Sequence, residues 1–197
     1  MISDPNLATI VVVAVMVCWF VFAFTFVFRK KPPAATDRKR DPGSIPGVVL
    51  QGLSYRVVWS IHRPLLTTFV SSNKTVSIVL GVIAVAAAIG SVVLVIAAVK
   101  TLGKEWSITA RVVTGHKLAT AGPYNLVRHP IYTGMLGMLI ATGIAVSYWQ
   151  ALAIATLVFL LGTMIRIRSE ERLLRETFGA EFEAYAQRVP ALLPGLF

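Results

Sequence analysis

One short cluster in this sequence has residue types that could do chemistry: Arg128-His129-Pro130, with Tyr132 just beyond it. Pro130 suits the first turn of a helix, because the N–H that proline lacks would have no helical partner there. Arg128 and His129 should therefore lie where a helix begins. A cluster of this kind can bind a charged small molecule, and it is equally typical of arginine on phospholipid headgroups.

A second cluster contains Arg166, Glu170 and Glu171. On a continuous helix Arg166 and Glu170 lie one turn apart on the same face, with Glu171 beside them. The simplest interpretation is a salt bridge worth a few tenths of a kcal/mol. If the fold brings both clusters to one place, however, they could line a pocket for a charged small molecule.

Composition indicates which solvent surrounds the elements that must position these clusters. Of the 197 residues, 56% are hydrophobic and 14% are charged, which is too apolar for one water-soluble core. The formal net charge is +10, but the basic residues lie between apolar stretches and not along one polar face, so the charge does not favour nucleic-acid binding. The single cysteine, Cys18, can form no intramolecular disulfide, and the sequence indicates no metal site. We therefore expect a membrane protein.

Apolar stretches predict the membrane-spanning helices. Residues 7–28 and 75–99 carry no charge and are each long enough to cross about 30 Å of hydrocarbon. The uncharged stretch 130–165 is too long for one crossing and has polar and aromatic residues at 147–149, which predicts a hairpin of two helices. Residues 47–70 are ambiguous, since they include basic side chains and could lie along the interface.

The distribution of Lys and Arg decides the ambiguous segment. If residues 47–70 cross once, the basic residues in 29–46, 100–128 and 166–188 all share one side, and that side is cytoplasmic by the positive-inside rule. This arrangement predicts about five spans, an N-terminus outside and a C-terminus in the cytoplasm. Both polar clusters then face the cytoplasm. In a prokaryote the membrane would be the plasma membrane.

A series of short motifs in the second half of the chain resembles isoprenylcysteine carboxyl methyltransferases, and phospholipid N-methyltransferases share a looser version. In chain order the motifs are Leu102-Gly103 with Trp106-Ser107, Gly115-His116-Lys117-Leu118, Gly122-Pro123-Tyr124, Arg128-His129-Pro130 with Tyr132 and Gly134, Glu170-Glu171 with Leu174, Phe178-Gly179, and Tyr185 with Val189-Pro190. Each motif alone is weak, but the ordered set is specific. It extends from Lys100 to the C-terminus.

The resemblance implies an all-α integral membrane enzyme that binds S-adenosylmethionine at its cytoplasmic face without a Rossmann domain. The cofactor-binding residues it implies are His116, Leu118, Tyr124, Arg128, His129, Pro130, Tyr132, Glu170 and Glu171. Consistent with this, no G-x-G-x-x-G follows a strand pattern. We expect residues 1–74 to form two N-terminal helices with a basic loop and residues 75–197 to form the methyltransferase core.

Arg166 and Glu170 are the candidate catalytic residues. A carboxylate acceptor is already ionised and needs no base, so Arg166 could hold it through two parallel hydrogen bonds. Such an acceptor would be an isoprenylcysteine-like or other lipophilic acid. An amine acceptor, as in phospholipid N-methylation, must lose a proton, and one of the two glutamates, Glu170 or Glu171, would have to serve as the base.

Two different functions are compatible with parts of the sequence. A sterol-reductase-like protein that uses a nicotinamide cofactor shares an element similar to residues 129–134, and a non-enzymatic scaffold would explain the basic loops through membrane lipids. The sequence does not indicate an oligomeric state.

Overall fold

In the computed structural model, residues 5–28, 38–64, 73–103, 111–113 and 118–193 are described. Six helices account for most of these residues: α1 (Pro5–Val27), α2 (Ile45–Ser60), α3 (Lys74–Leu102), α4 (Pro130–Val146), α5 (Trp149–Phe178) and α6 (Ala180–Ala186). Two three-residue strands, β1 (Arg38–Arg40) and β2 (Arg111–Val113), pair antiparallel. The prediction of an all-α membrane protein with a C-terminal helical hairpin is confirmed, with the strand pair as a small addition.

Within the described residues, three helices are long and apolar enough to cross a membrane: Leu7–Val27, Lys74–Leu102 and Trp149–Phe178. Pro130–Val146 is a shorter apolar helix, and α2 has 16 residues. A helix rises about 1.5 Å per residue, so α2 and α4 each extend for about 25 Å, somewhat less than the hydrocarbon core. The five-span topology therefore stays a prediction. The last six residues of the ambiguous segment, 65–70, lie outside the described residues.

Helices α2 and α5 approach each other closely because glycines face each other where they meet. A Cβ on Gly47 would lie 2.5 Å from the Gly162 carbonyl oxygen and 2.5 Å from Cγ of Arg166. A Cβ on Gly162 would lie 2.8 Å from the Gly47 carbonyl oxygen. Small residues let helix backbones come together where lipid offers no hydrophobic driving force. This contact places the buried face of α2 directly against the side of α5 that carries Arg166.

Helices α3 and α4 pack in the same manner. A Cβ on Gly134 would lie 2.5 Å from Cγ2 of Val95, and one on Gly137 would lie 2.4 Å from Oγ of Ser91. Buried residues of α1 to α5 form one apolar core around this contact, including Met138 and Phe159. Large side chains on the outer surfaces of α1 and α5 remain exposed, as expected for helices in contact with lipid.

At the end of α4 far from Pro130, Arg63 closes the turn between α4 and α5. Its guanidinium donates to the carbonyl oxygens of Ser147 at 3.0 Å, Ile144 at 2.8 Å and Ala145 at 3.1 Å. The last carbonyls of a helix have no partner within the helix, so an arginine that binds them stabilises its C-terminus. The predicted hairpin turn is confirmed, since α4 ends at Val146 and α5 begins at Trp149.

Candidate active site at the start of α4

The two polar clusters meet where α4 begins and α5 approaches its end. His129 immediately precedes α4 and is buried. Its Nε2 lies 3.2 Å from Oε1 of Glu171, and its Nδ1 lies 3.5 Å from Oε2 of Glu170. Successive residues on α5 thus contact opposite sides of one imidazole ring.

Tyr132 joins Glu170 to the rest of the cluster. Its hydroxyl donates to Oε1 of Glu170, and its ring stacks on His129 with centroids 5.6 Å apart and planes 12° apart. Arg166 also contacts this ring, with its guanidinium carbon 4.7 Å from the Tyr132 ring centroid. A guanidinium over an aromatic face is attracted by the negative charge density of the ring.

Arg166 is buried between α2 and α5, with 6% of its surface exposed. Its Nη1 donates to Oε1 of Gln51 at 2.8 Å, and its Nη2 lies 3.7 Å from Oε1 of Glu170. The predicted pairing of Arg166 with Glu170 along one helix face is therefore present. The Gln51 amide nitrogen in turn donates to Oγ1 of Thr163 at 2.8 Å.

Arg128 connects the cluster to the C-terminal segment. Its Nε donates to Oε1 of Glu171 at 2.9 Å, and its Nη1 donates to the carbonyl oxygens of Ala186 at 2.8 Å and Val189. The main-chain N–H groups of Arg128 and His129 donate to the carbonyls of residues 190 and 191 at 2.8 and 3.0 Å. These bonds hold residues 186–191 against the start of α4.

Charge and burial act in opposite directions on His129. Burial alone lowers the pKa of the imidazole, but hydrogen bonds and charges from Glu170 and Glu171 outweigh it, so the pKa is raised above its usual value. The two carboxylates therefore favour the imidazolium form of His129 over the neutral ring. Burial also raises the pKa of the Tyr124 phenol, and the charge of Glu170 adds to that effect.

The sequence-predicted residues fall into two groups. Arg128, His129, Tyr132, Glu170 and Glu171 form one connected network, and Arg166 joins it. The second group is Leu118, Tyr124 and Pro130, which lie in or pack against neighbouring segments. Pro130 opens α4 as predicted, Leu118 packs against the apolar cluster of Phe182, Tyr185 and Val189, and the Tyr124 carbonyl accepts a 2.6 Å bond from the Tyr185 hydroxyl. His116 lies outside the described residues.

Sequence reasoning missed several members of the site. Gln51 and Thr163 contact the Arg166 side of the network, and Arg175 pairs with Glu171 at 3.2 Å. Ser169 donates to Oδ2 of Asp41 at 2.7 Å, which ties the segment before α2 to α5. The signal that could have indicated Gln51 was its place in the uncharged run of residues 45–55, because polar side chains at membrane depth tend to be functional.

Comparison with known proteins bears on this geometry. Residues 76–181, more than half of the chain, match the phospholipid methyltransferase family. The chain belongs to this family. The matched residues include nearly all of α3, all of α4 and α5, and the segment just before α4, so they contain all the charged residues of the network. The resemblance to isoprenylcysteine methyltransferases is confirmed by relatives that carry that name.

Three relatives illustrate the range of proteins that this chain resembles. A probable protein-S-isoprenylcysteine O-methyltransferase of Oryza sativa subsp. indica is 38% identical over 49% of this chain and 52% of its own. The cobalt-zinc-cadmium resistance protein CzcN of Cupriavidus metallidurans is 37% identical over 49% of this chain and 44% of its own. Methanethiol S-methyltransferase 2 of Bradyrhizobium diazoefficiens is 34% identical over 43% of this chain and 32% of its own. The matches thus span about half or less of each relative.

Proposed function

We propose that this protein is a membrane-embedded S-adenosylmethionine-dependent methyltransferase that converts the carboxylate of an isoprenylcysteine-like or other lipophilic acid into a methyl ester. The observation that carries the proposal is the position of Arg166. Its buried guanidinium lies beside Glu170, at the edge of the network formed by Arg128, His129, Tyr132 and Glu171. Relatives named as isoprenylcysteine O-methyltransferases support the ester over other products.

The chemistry of the network fits S-adenosylmethionine, which carries an ammonium, a carboxylate and ribose hydroxyls. Glu170 is the more accessible glutamate, with 23% of its side chain exposed against 7% for Glu171. Glu170 can therefore accept hydrogen bonds from an ammonium or hydroxyls, while Glu171 holds Arg128 and His129 in place. Tyr124, Pro130, Leu118 and His116 complete the proposed cofactor-binding set. When bound, the cofactor supplies an electrophilic methyl group on a sulfonium.

The remaining work of the site is alignment. An ionised carboxylate needs no base, so the protein has to orient the acceptor oxygen and exclude water. Arg166 can bind one carboxylate oxygen, or both, and leave a lone pair directed at the methyl group. His129 and Tyr132 position groups in this scheme and move no proton. With both substrates held in this way, methyl transfer would exchange the methyl–sulfur bond for a methyl–oxygen bond, and both charges would be neutralised.

The distribution of Lys and Arg supports a proposal for how the protein lies in the membrane. We propose a cytoplasmic site and C-terminus, an N-terminus outside and, in a prokaryote, the plasma membrane. Residues 75–197 would form the catalytic core and residues 1–74 an N-terminal pair of helices. The partners are a lipophilic or lipidated acceptor and membrane lipids.

A second candidate function is N-methylation of a phosphatidylethanolamine-type lipid, which the family match favours. An amine acceptor must be deprotonated before attack, and Glu170 is the accessible carboxylate that could take its proton. Arg166 would oppose this reaction, because a nearby cation repels a protonated amine.

Two measurements test the proposal. The purified full-length chain should bind S-adenosylhomocysteine, and it should transfer labelled methyl from S-adenosylmethionine to N-acetyl-S-farnesylcysteine in preference to phosphatidylethanolamine. Arg166→Lys keeps the charge but loses the planar fork, so it should lower kcat/KM for the acid more than it weakens cofactor binding. Methyl transfer to the phospholipid alone would establish the second candidate instead.

A further inference from the structure

Gln51 lies on α2, outside the family-matched residues 76–181, yet its side chain contacts the proposed site directly. It is 2% exposed and lies on the buried face of α2 with Gly47, Ser54 and Val58. Its Oε1 accepts the 2.8 Å bond from Arg166, and its Nε2 donates the 2.8 Å bond to Thr163. Arginine has only donors, so the amide must present its oxygen to the guanidinium, and Thr163 receives the nitrogen.

The buried amide of Gln51 lies on a face of α2 whose other buried residues are small or apolar, so it needs a compensating role. Leaving such a group without hydrogen bonds costs about 1–3 kcal/mol, and an apolar residue of the same size would avoid that risk. The glycine contact between α2 and α5 brings the two helices close enough for this short bond to form. The two helices can therefore approach at Gly47 and Gly162, and this approach lets Gln51 on α2 contact the Arg166 guanidinium.

The neutral charge of Gln51 matters for an anionic substrate. A glutamate at this position would bind Arg166 more strongly, because it would add the attraction of opposite charges to a hydrogen bond in which only the arginine is now charged. Glu170 already lies 3.7 Å from Nη2 of Arg166, so a second carboxylate would leave no net positive charge for an acceptor carboxylate. The amide instead fixes one edge of the guanidinium through Nη1 and leaves the charge of Arg166 in place.

We infer that Gln51 is a positioning residue for methyl transfer to a carboxylate: it orients Arg166 through a neutral acceptor, and Thr163 in turn fixes the Gln51 amide. The inference rests on the proposed function, because it requires Arg166 to bind an acidic acceptor. It assigns α2 a part in the site that the family-matched region does not contain.

The test uses the full-length chain in lipid nanodiscs with labelled S-adenosylmethionine and N-acetyl-S-farnesylcysteine. Gln51→Leu should lower kcat/KM for the acid about tenfold, equal to about 1.4 kcal/mol, while the Kd for S-adenosylhomocysteine changes far less. In an Arg166→Lys background the same change should cause little further loss, because Gln51 acts through Arg166. Ser54→Ala is the control, since the Ser54 hydroxyl bonds to the Gln51 main-chain carbonyl and not to its side chain, and it should leave kcat/KM unchanged.

Gln51→Glu separates positioning from packing, because it keeps an acceptor for Arg166 but adds a negative charge. We expect it to lower kcat/KM at least as much as Gln51→Leu, without loss of thermal stability. Parent-like activity of Gln51→Glu, or additive losses in the double variant, would overturn the inference and leave the proposed function standing. If the parent protein binds the cofactor but methylates no acid, the proposed function fails and the inference fails with it. Should Gln51→Leu not fold, Thr163→Val removes the hydroxyl that holds the amide and should give a smaller, equally non-additive loss.

Discussion

Replacement of Glu171 by Gln should destabilise the start of α4 more than any other single charge removal in the network. Glu171 is buried, and its carboxylate contacts Arg128 at 2.9 Å, His129 at 3.2 Å and Arg175 at 3.2 Å. Glutamine keeps the shape but removes the charge that compensates these cations. Its amide nitrogen also brings donors to a site where these three neighbours are themselves donors.

The size of the effect follows from how well each cation is solvated without Glu171. Removing one partner of a buried ion pair costs about 3–5 kcal/mol. Arg175 is 46% exposed and retains Glu183 at 2.7 Å, and Arg128 retains two carbonyl oxygens, so we reduce the expected loss to about 2–3 kcal/mol. For a chain of this length that corresponds to a melting temperature lower by about 4–12 °C.

Thermal unfolding in detergent, with and without S-adenosylhomocysteine, measures this loss. The matched control is Glu181→Gln, since Glu181 is an exposed glutamate in the first turn of α6, and its replacement should change stability by less than about 0.5 kcal/mol. Equal melting temperatures for the two variants would refute the electrostatic account of the network. In that case the cations must find water or other acceptors once Glu171 is neutral.

Three further predictions concern stability. Because the pKa of His129 is raised in the folded protein, its ion pairs stabilise the fold fully below the usual histidine pKa of about 6.5 and lose their effect as pH rises through the higher folded value. The difference in melting temperature between the parent and His129→Gln should therefore shrink with increasing pH. A constant difference would exclude the imidazolium. Arg63→Met should cost about 2–3 kcal/mol by freeing the α4 carbonyls, while binding of S-adenosylhomocysteine to the folded protein stays unchanged; weaker binding would contradict a purely structural role. Gly47→Ala should destabilise the protein by about 1–3 kcal/mol, because the added Cβ would clash with Gly162 and Arg166. The control is Gly52→Ala, whose Cβ would have no atom of the described residues within 4 Å, and it should be neutral or stabilising by up to about 1 kcal/mol. Equal effects of the two variants in unfolding measurements would contradict the close α2–α5 contact.

Much of the fold could be predicted because lipid leaves few choices. Uncharged stretches had to become helices, so the predicted spans 7–28 and 75–99 correspond to α1 and α3 within a few residues at each end. The turn after Val146 was also predictable, since the apolar stretch from 130 to 165 exceeds one crossing. The basic loop before α2 was predicted as polar loop, and within it Arg38–Arg40 instead pairs with Arg111–Val113. Short strands depend on a distant partner, which local sequence does not identify.

In the candidate site, the contacts between residues of one helix or one motif could be predicted from the sequence. Arg166 and Glu170 are one turn apart, so their pairing followed from helix geometry. The contact of His129 with both glutamates required a family resemblance, because it joins elements that are far apart in the sequence. Gln51 required the structure itself. Its bond to Arg166 spans 115 residues and exists because two glycines let α2 and α5 approach.

The length of α5 explains why a site for two unlike substrates could form here. From Trp149 at the turn, Arg166 lies about 26 Å along the helix and Glu170 about 32 Å along it, whereas the hydrocarbon core is about 30 Å thick. Arg166 therefore falls just within the apolar layer if α5 is near the membrane normal, and Glu170 falls just beyond it. Under the proposed function, a lipophilic acid would lose about 0.8 kcal/mol for each CH₂ withdrawn into water, which favours a cation inside the layer as the group that binds its head. The proposed cofactor is charged and water-soluble, which favours a glutamate outside the layer. One helical turn between Arg166 and Glu170 meets both requirements, and Gln51 supplies the hydrogen bond that keeps the inner cation oriented at that depth.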